Sequence, residues 1–144
     1  MTLYLDTSSL VKLYVAEPGS DAVRTLVDAA TVVATSAVAY TETRAALARR
    51  HRERTLRPAA FASAKKTFEA DWPKYLTVDV TSPLCREAGE FAERYRLRAY
   101  DTVHLTAFAE IAREAGVRDT RFSSFDDALN RAARSLGRAL IRAH

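Results

Sequence analysis

Short apolar or β-branched runs alternate with helical patterns along the whole chain, and no other feature constrains the fold as tightly. Thr2–Asp6 reads as a short buried strand and Thr31–Thr35 as a second. Leu76, Val78 and Val80 alternate with Thr77, Asp79 and Thr81 as a third strand, and Thr120–Ser124 forms a fourth. Between them the spacing predicts helices over Ser8–Ala16, Asp21–Ala29, from a Ser36 N-cap to about Arg50, and from Pro58 to near Trp72. Further helices are predicted over Leu84–Arg96, Tyr100–Ala115 and Asp126–Leu136, the last closed by Gly137, with Ala139–Arg142 as a candidate edge strand. Such alternation implies an α/β fold, a three-layer α/β/α sandwich around a mostly parallel sheet of four to five strands. Residues 1–144 read as a single domain, without internal repeat, low-complexity tract or linker.

Composition excludes several functions. A chain of 144 residues buries roughly two-thirds of its unfolded surface, and 48% hydrophobic with 28% charged residues is that of a globular protein. The single cysteine, Cys85, forbids an intrachain disulfide and implies a reducing, cytoplasmic setting. It is expected to be a small buried hydrophobe. The first residues carry no basic segment of a signal peptide, and no apolar run approaches the ~18 residues that span a bilayer, so no membrane partner is expected. Only Gly19, Gly89, Gly116 and Gly137 are present, which rules out a phosphate-binding P-loop and a dinucleotide fingerprint. A net charge of +4 permits a polyanionic partner without requiring one.

Four acidic residues stand at or near the ends of separate runs: Asp6, Glu42, Asp101 and Asp126. Ligands in parallel α/β sheets lie beyond the carboxyl ends of the strands, and Asp6 and Asp126 follow strands one and four directly. Glu42 falls two turns into the helix after strand two, on a face with Val38, Ala45 and Ala46, where an unpaired charge would be costly. Asp101 opens its helix, with His104 one turn on. Carboxylates gathered from distant segments are what a hard divalent cation requires. Singly, an Asp after a strand is ordinarily an N-cap or turn former; only the four together point to a metal. Asp71, Asp79 and Asp127 carry no such pattern and read as solvated or paired.

The residues around these acids carry a resemblance. The stretches Leu5–Tyr14, Ser36–Leu47, Leu97–Leu105 and Ser123–Asn130 occur in an order that resembles PIN-domain ribonucleases of the VapC toxin type. The resemblance spans essentially the whole chain. It implies a PIN-like fold and a metal-binding quartet of Asp6, Glu42, Asp101 and Asp126, supported by the hydroxyls of Ser8 and Ser124, the latter replacing a Thr found in many relatives. It also implies a Mg²⁺-dependent endoribonuclease (Mn²⁺ in its place), an RNA substrate, inhibition by a VapB-like antitoxin and a homodimer. Such a site activates water for in-line hydrolysis, leaving a 5′-phosphate and a 3′-hydroxyl. Asp6 and Asp101 are then expected as direct ligands, with Glu42 and Asp126 acting through water or as general base.

His104 is expected to be structural, orienting Asp101 or filling space beneath the site. Lys12 and Tyr14 reach either the site mouth or a subunit contact. Arg44 and the cluster Arg49, Arg50, Arg52, Arg54 and Arg57, with the stripe Arg131, Arg134 and Arg138, read either as solvated faces or as a phosphate grip for RNA. The principal alternative is a catalytically silent PIN-like RNA-binding or protein-interaction module. Phosphotransfer domains also place an Asp after strand one, but Ser8 stands where an Asp-x-Asp motif needs its second acid.

Overall fold

The computed structural model describes residues 1–143. Strands β1 (Thr2–Leu5), β2 (Val32–Ser36), β3 (Leu76–Val78) and β4 (Thr120–Ser123) form one sheet in the order β3-β2-β1-β4. Every pairing is parallel, with Tyr4 opposite both Ala34 and Phe122, and Ser36 opposite Val78. The helices are α1 (Thr7–Leu10), α2 (Ser20–Ala29), α3 (Val38–Arg52), α4 (Pro58–Asp71), α5 (Ser82–Tyr95), α6 (Ala99–Ala115) and α7 (Asp127–Arg142).

Strand alternation splits the core into two layers. Tyr4, Ala34 and Val78 turn to one face, against Leu84 and Phe91 of α5, Leu105 and Phe108 of α6, and Leu129 and Leu136 of α7. Leu3 and Leu5 turn to the other, against Leu10, Val23 of α2, Ala39 of α3 and Phe68 of α4. The three-layer α/β/α sandwich expected from the alternation is therefore present. A smaller cluster of Val11, Val15, Leu47, Leu56 and Ala64 ties the α3–α4 hairpin to the turn after α1. Among the described residues no helix is long and apolar enough to cross a membrane.

Four local expectations are corrected. Ala139–Arg142 is not a strand, because α7 runs through Gly137 to Arg142. Its buried positions, Leu129, Ala132, Ala133, Leu136 and Leu140, keep helical spacing past the glycine, which outweighs the ~1 kcal/mol that Gly costs in a helix. The helix predicted over Ser8–Ala16 is a short α1 followed by a 3₁₀ turn, Val11–Leu13. Ser9, Leu10 and Val11 are all buried, which one helical face cannot achieve, and Leu10 and Val11 enter different clusters. The third strand stops at Val78, leaving Val80 exposed. Cys85 is exposed, lying beside the buried stripe Leu84, Ala88 and Phe91 of α5 rather than on it.

Candidate functional site

Strand order reverses at β1, with β2 and β3 to one side and β4 to the other, so the crevice of this sheet opens beyond the carboxyl end of β1. Asp6 stands there, 4% exposed, and its amide donates to the Ser123 carbonyl at 3.1 Å. The Asp6 carboxylate joins two elements. Oδ1 accepts from the Ser9 amide at 3.0 Å, capping α1, and from Ser8 Oγ at 2.6 Å. Oδ2 accepts from Ser124 Oγ at 2.6 Å. Each hydroxyl also accepts a backbone amide from the β4–α7 turn, Ser8 from Phe125 at 2.9 Å and Ser124 from Asp126 at 3.0 Å. Asn130 Nδ2 fixes the same turn by donating to the Ser124 carbonyl at 2.8 Å. Burial raises the Asp6 pKa, and the hydroxyls of Ser124 and Ser8 offset part of the rise.

Asp126 is the N-cap of α7, Oδ1 accepting from the Leu129 amide at 2.8 Å. The ordinary N-cap role thus occupies one oxygen and leaves Oδ2 without a hydrogen bond among the described residues. Asp101 lies in the first turn of α6 with its side chain 28% exposed. Its pKa is raised by burial first, then by the charges of Asp126 and Asp6, with Arg98 opposing from 3.9 Å. These three carboxylates therefore share one electrostatic neighbourhood.

Glu42 is held from the other side. Its Oε1 accepts from Thr7 Oγ1 at 2.8 Å and lies 2.8 Å from His104 Nε2. His104 Nδ1 lies 2.8 Å from the hydroxyl of Tyr4, which is completely buried. His104 is thus buried and bonds Glu42, and among the described residues it forms no hydrogen bond with Asp101, the acid it was expected to orient. Thr7 and Tyr4 escaped the sequence reading. Thr7 directly follows the first acid, the one local cue available, whereas Tyr4 has the inward phase of an ordinary strand residue.

The donors are carboxylate and hydroxyl oxygens, the chemistry a hard divalent cation takes. Glu42 Oε2, Asp126 Oδ2 and both Asp101 oxygens accept no hydrogen bond among the described residues. Among those residues no three His, Cys, Asp or Glu side chains converge as a ready-made ligand set. Mg²⁺ is compatible with this, since it retains several waters and needs only one or two direct carboxylates.

The basic residues separate. Arg44 of α3 pairs with Glu69 of α4 at 2.8 Å and donates to the Tyr40 hydroxyl at 3.0 Å, bracing the hairpin. Arg131, Arg134 and Arg138 are arrayed along α7 with no ion pair among the described residues. Arg134 and Arg138 border a cavity of about 530 Å³ beside β4, floored by Phe108 and Phe122. Lys12 pairs with Glu17 at 3.2 Å and lies 4.5 Å above the Phe125 ring, close to the β4–α7 turn. Tyr14 instead bonds Asp71 at 3.1 Å and Tyr75, away from the acids.

Comparison with known proteins agrees with this architecture. Residues 3–135 match the PIN domain family model. The chain is 35% identical over 105 residues to Ribonuclease VapC45 of Mycobacterium tuberculosis (strain CDC 1551 / Oshkosh), covering 73% of each chain. It has the same identity and coverage with Ribonuclease VapC49 of Mycobacterium tuberculosis (strain ATCC 25618 / H37Rv). The match to the domain model and the similarity to these ribonucleases lead to the same conclusion: the chain belongs to the PIN-domain family.

Proposed function

We propose that this protein is a metal-dependent endoribonuclease of the VapC toxin type, a single domain over residues 1–144 that acts in the cytoplasm as a homodimer and is inhibited by a cognate VapB-like antitoxin. The observation that carries the reading is the electrostatic coupling of Asp101 with Asp126 and Asp6 at the switch point of the sheet, with Glu42 bonded to Thr7, the residue after Asp6. Similarity to proteins named as VapC ribonucleases supports the choice of RNA.

Asp6 and Asp101 would hold the cation, Mg²⁺ or Mn²⁺, directly, with Asp126 and Glu42 acting through water. A bound divalent ion there supplies an activated water and offsets charge developing on the phosphate. Ser8 and Ser124 keep Asp6 in place, and the free oxygen of Glu42 or Asp126 receives the proton of the attacking water. Arg131, Arg134 and Arg138 hold the RNA backbone by charge, and the Glu69-paired Arg44 makes at most a marginal contribution.

Incubating RNA with the purified protein, with Mg²⁺ and with a chelator, tests the reading. The expected result is cleavage that requires the metal and falls by about two orders of magnitude or more in Asp6→Asn and Asp101→Asn. RNA binding without cleavage under any divalent ion would favour the silent binding module instead.

A further inference from the structure

The buried end of the site contains a hydrogen-bonded chain that metal ligation does not require. Tyr4 lies on β1 two residues before Asp6, with its ring stacked on Phe122 at 5.7 Å and edge-on to Phe108 at 6.2 Å. Its hydroxyl is 2.8 Å from His104 Nδ1. On the opposite edge of that imidazole, Nε2 is 2.8 Å from Glu42 Oε1, to which Thr7 also donates. The chain runs from strand to α6 to α3 and joins residues 4, 104 and 42 through a histidine that is 2% exposed.

Donor and acceptor inventory orders the protons. Nε2 faces two oxygens, Glu42 Oε1 at 2.8 Å and Thr7 Oγ1 at 3.2 Å, and because Thr7 gives its own hydrogen to Glu42, both call for a hydrogen on Nε2. Nδ1 of that tautomer is an acceptor, and the phenol supplies its hydrogen. Without the phenol, a flipped ring or the other tautomer would present a lone pair or carbon to Glu42. Thr7 and His104, themselves 3.2 Å apart, both meet Oε1 and leave Oε2 as the single Glu42 oxygen free of hydrogen-bond partners among the described residues.

We propose that Tyr4 is a positioning residue, which sets the ring orientation and tautomer of His104 and through it holds Glu42 with Oε1 occupied and Oε2 available to the reaction. This inference rests on the nuclease reading for its kinetic consequence, but not for the hydrogen-bond order itself. It also gives a reason for a tyrosine on this strand: phenylalanine would satisfy the same stacking against Phe122 and Phe108. Outer residues that orient a ligand or base typically alter activity by 10–100-fold when removed, and Tyr4, acting through one further residue, belongs at the lower end.

The test combines Tyr4→Phe with ¹⁵N-histidine NMR of the metal-free protein. Wild type should show His104 with Nε2 as the N–H and Nδ1 as a hydrogen-bonded acceptor, and Tyr4→Phe should lose that Nδ1 signature while its circular dichroism stays native. On RNA with Mg²⁺, kcat of Tyr4→Phe should fall by about tenfold with KM within about twofold. An N–H at Nδ1 of wild type overturns the proposal, and so does a folded variant with unchanged kcat or with a change confined to KM. The NMR measurement needs neither RNA nor metal, so a wild type that cleaves no RNA refutes the nuclease reading while the His104 spectrum still decides the hydrogen-bond order. If Tyr4→Phe does not fold, the wild-type spectrum alone decides it.

Discussion

At Asp6 three hydrogen-bond donors oppose one desolvation penalty, and the carboxyl pKa still rises. The donors come from residues 8, 9 and 124, so a single side chain fastens the end of β1 to both α1 and the β4–α7 turn. The sequence showed the acid and both serines but could not show the bonds, because Ser124 is distant in the chain and only strand pairing makes it adjacent. His104 illustrates the same limit: helical spacing puts it near Asp101, while the fold places Glu42 against its Nε2. Removing that ring should be expensive. His104→Ala leaves the Tyr4 hydroxyl and a Glu42 oxygen short of partners in a buried network, and should destabilise the protein by about 2–4 kcal/mol. Urea denaturation would measure it, and a loss below about 0.5 kcal/mol, the level of a neutral surface change, would show that the network carries little stability. Arg98→Ala, by contrast, removes a 91% exposed partner at 3.9 Å and should be nearly neutral.

Among the elements, the turn before α2 and the turn before α7 are packed on each other. Gly19 has φ of +95°, and a Cβ there would lie 2.6 Å from the Phe125 ring. Gly19→Ala should cost about 1–3 kcal/mol from backbone strain, and should also lower cleavage by shifting the turn that carries Ser124 and Asp126. Thermal melts and an RNA cleavage assay on the same preparation would read both; a variant with wild-type Tm means that the ring moves aside freely. Helix α7 supplies the second prediction at this scale. Replacing Arg131, Arg134 and Arg138 together by Gln should preserve the fold, since none of the three holds an ion pair among the described residues. RNA binding should weaken, and its dependence on log salt should flatten by about 0.7 for each phosphate no longer gripped. An unaltered salt slope assigns the stripe to solvent or to a protein partner. Apolar spacing in the sequence revealed α7 as far as Gly137 but misjudged its end, because glycine's helix penalty is local and the stripe it interrupts is not.

For the whole molecule, the raised carboxyl pKa values of Asp6 and Asp101 link stability to pH, and a cation held there would link it to metal as well. Asp6 and Asp101 both have raised folded-state pKa values. A carboxyl with a raised folded pKa binds its proton more tightly in the native state. Its stabilisation is therefore complete below the unfolded value of about 3.9 and is lost as pH rises through the folded pKa. In chelator, the contribution of these two groups should decline from about pH 4 upward. Asp101→Asn, which removes a charge repelled by Asp126 and Asp6, should raise the Tm of the metal-free protein near neutrality and reduce the pH slope. Mg²⁺ should stabilise wild type at about pH 7 by mass action, about 2.7 kcal/mol at 100 times its Kd, and stabilise Asp101→Asn far less. Melts of the two proteins from about pH 4 to about pH 8, with chelator and with Mg²⁺, provide the comparison. Equal metal-induced shifts would mean that Asp101 is not part of a cation site.

The sequence by itself determined the alternation of strand and helix, the three-layer class and the local setting of each acid, because these depend on periodicity and capping within a few residues. Asp6 and Asp126 beside strand ends and Asp101 in a first helical turn were legible in that way. The tertiary structure decided that Asp126 and Asp6 bear on the charge of Asp101, that Ser8 and Ser124 share Asp6, that Thr7 and His104 share Glu42, and that the arginines of α7 stand apart from Arg44. Those outcomes depend on the order β3-β2-β1-β4, which brings the loops after β1 and β4 together. In that order Tyr4 is buried with Phe108 and Phe122 on one face and Leu3 and Leu5 on the other, contacts between distant segments that no local stretch of sequence encodes.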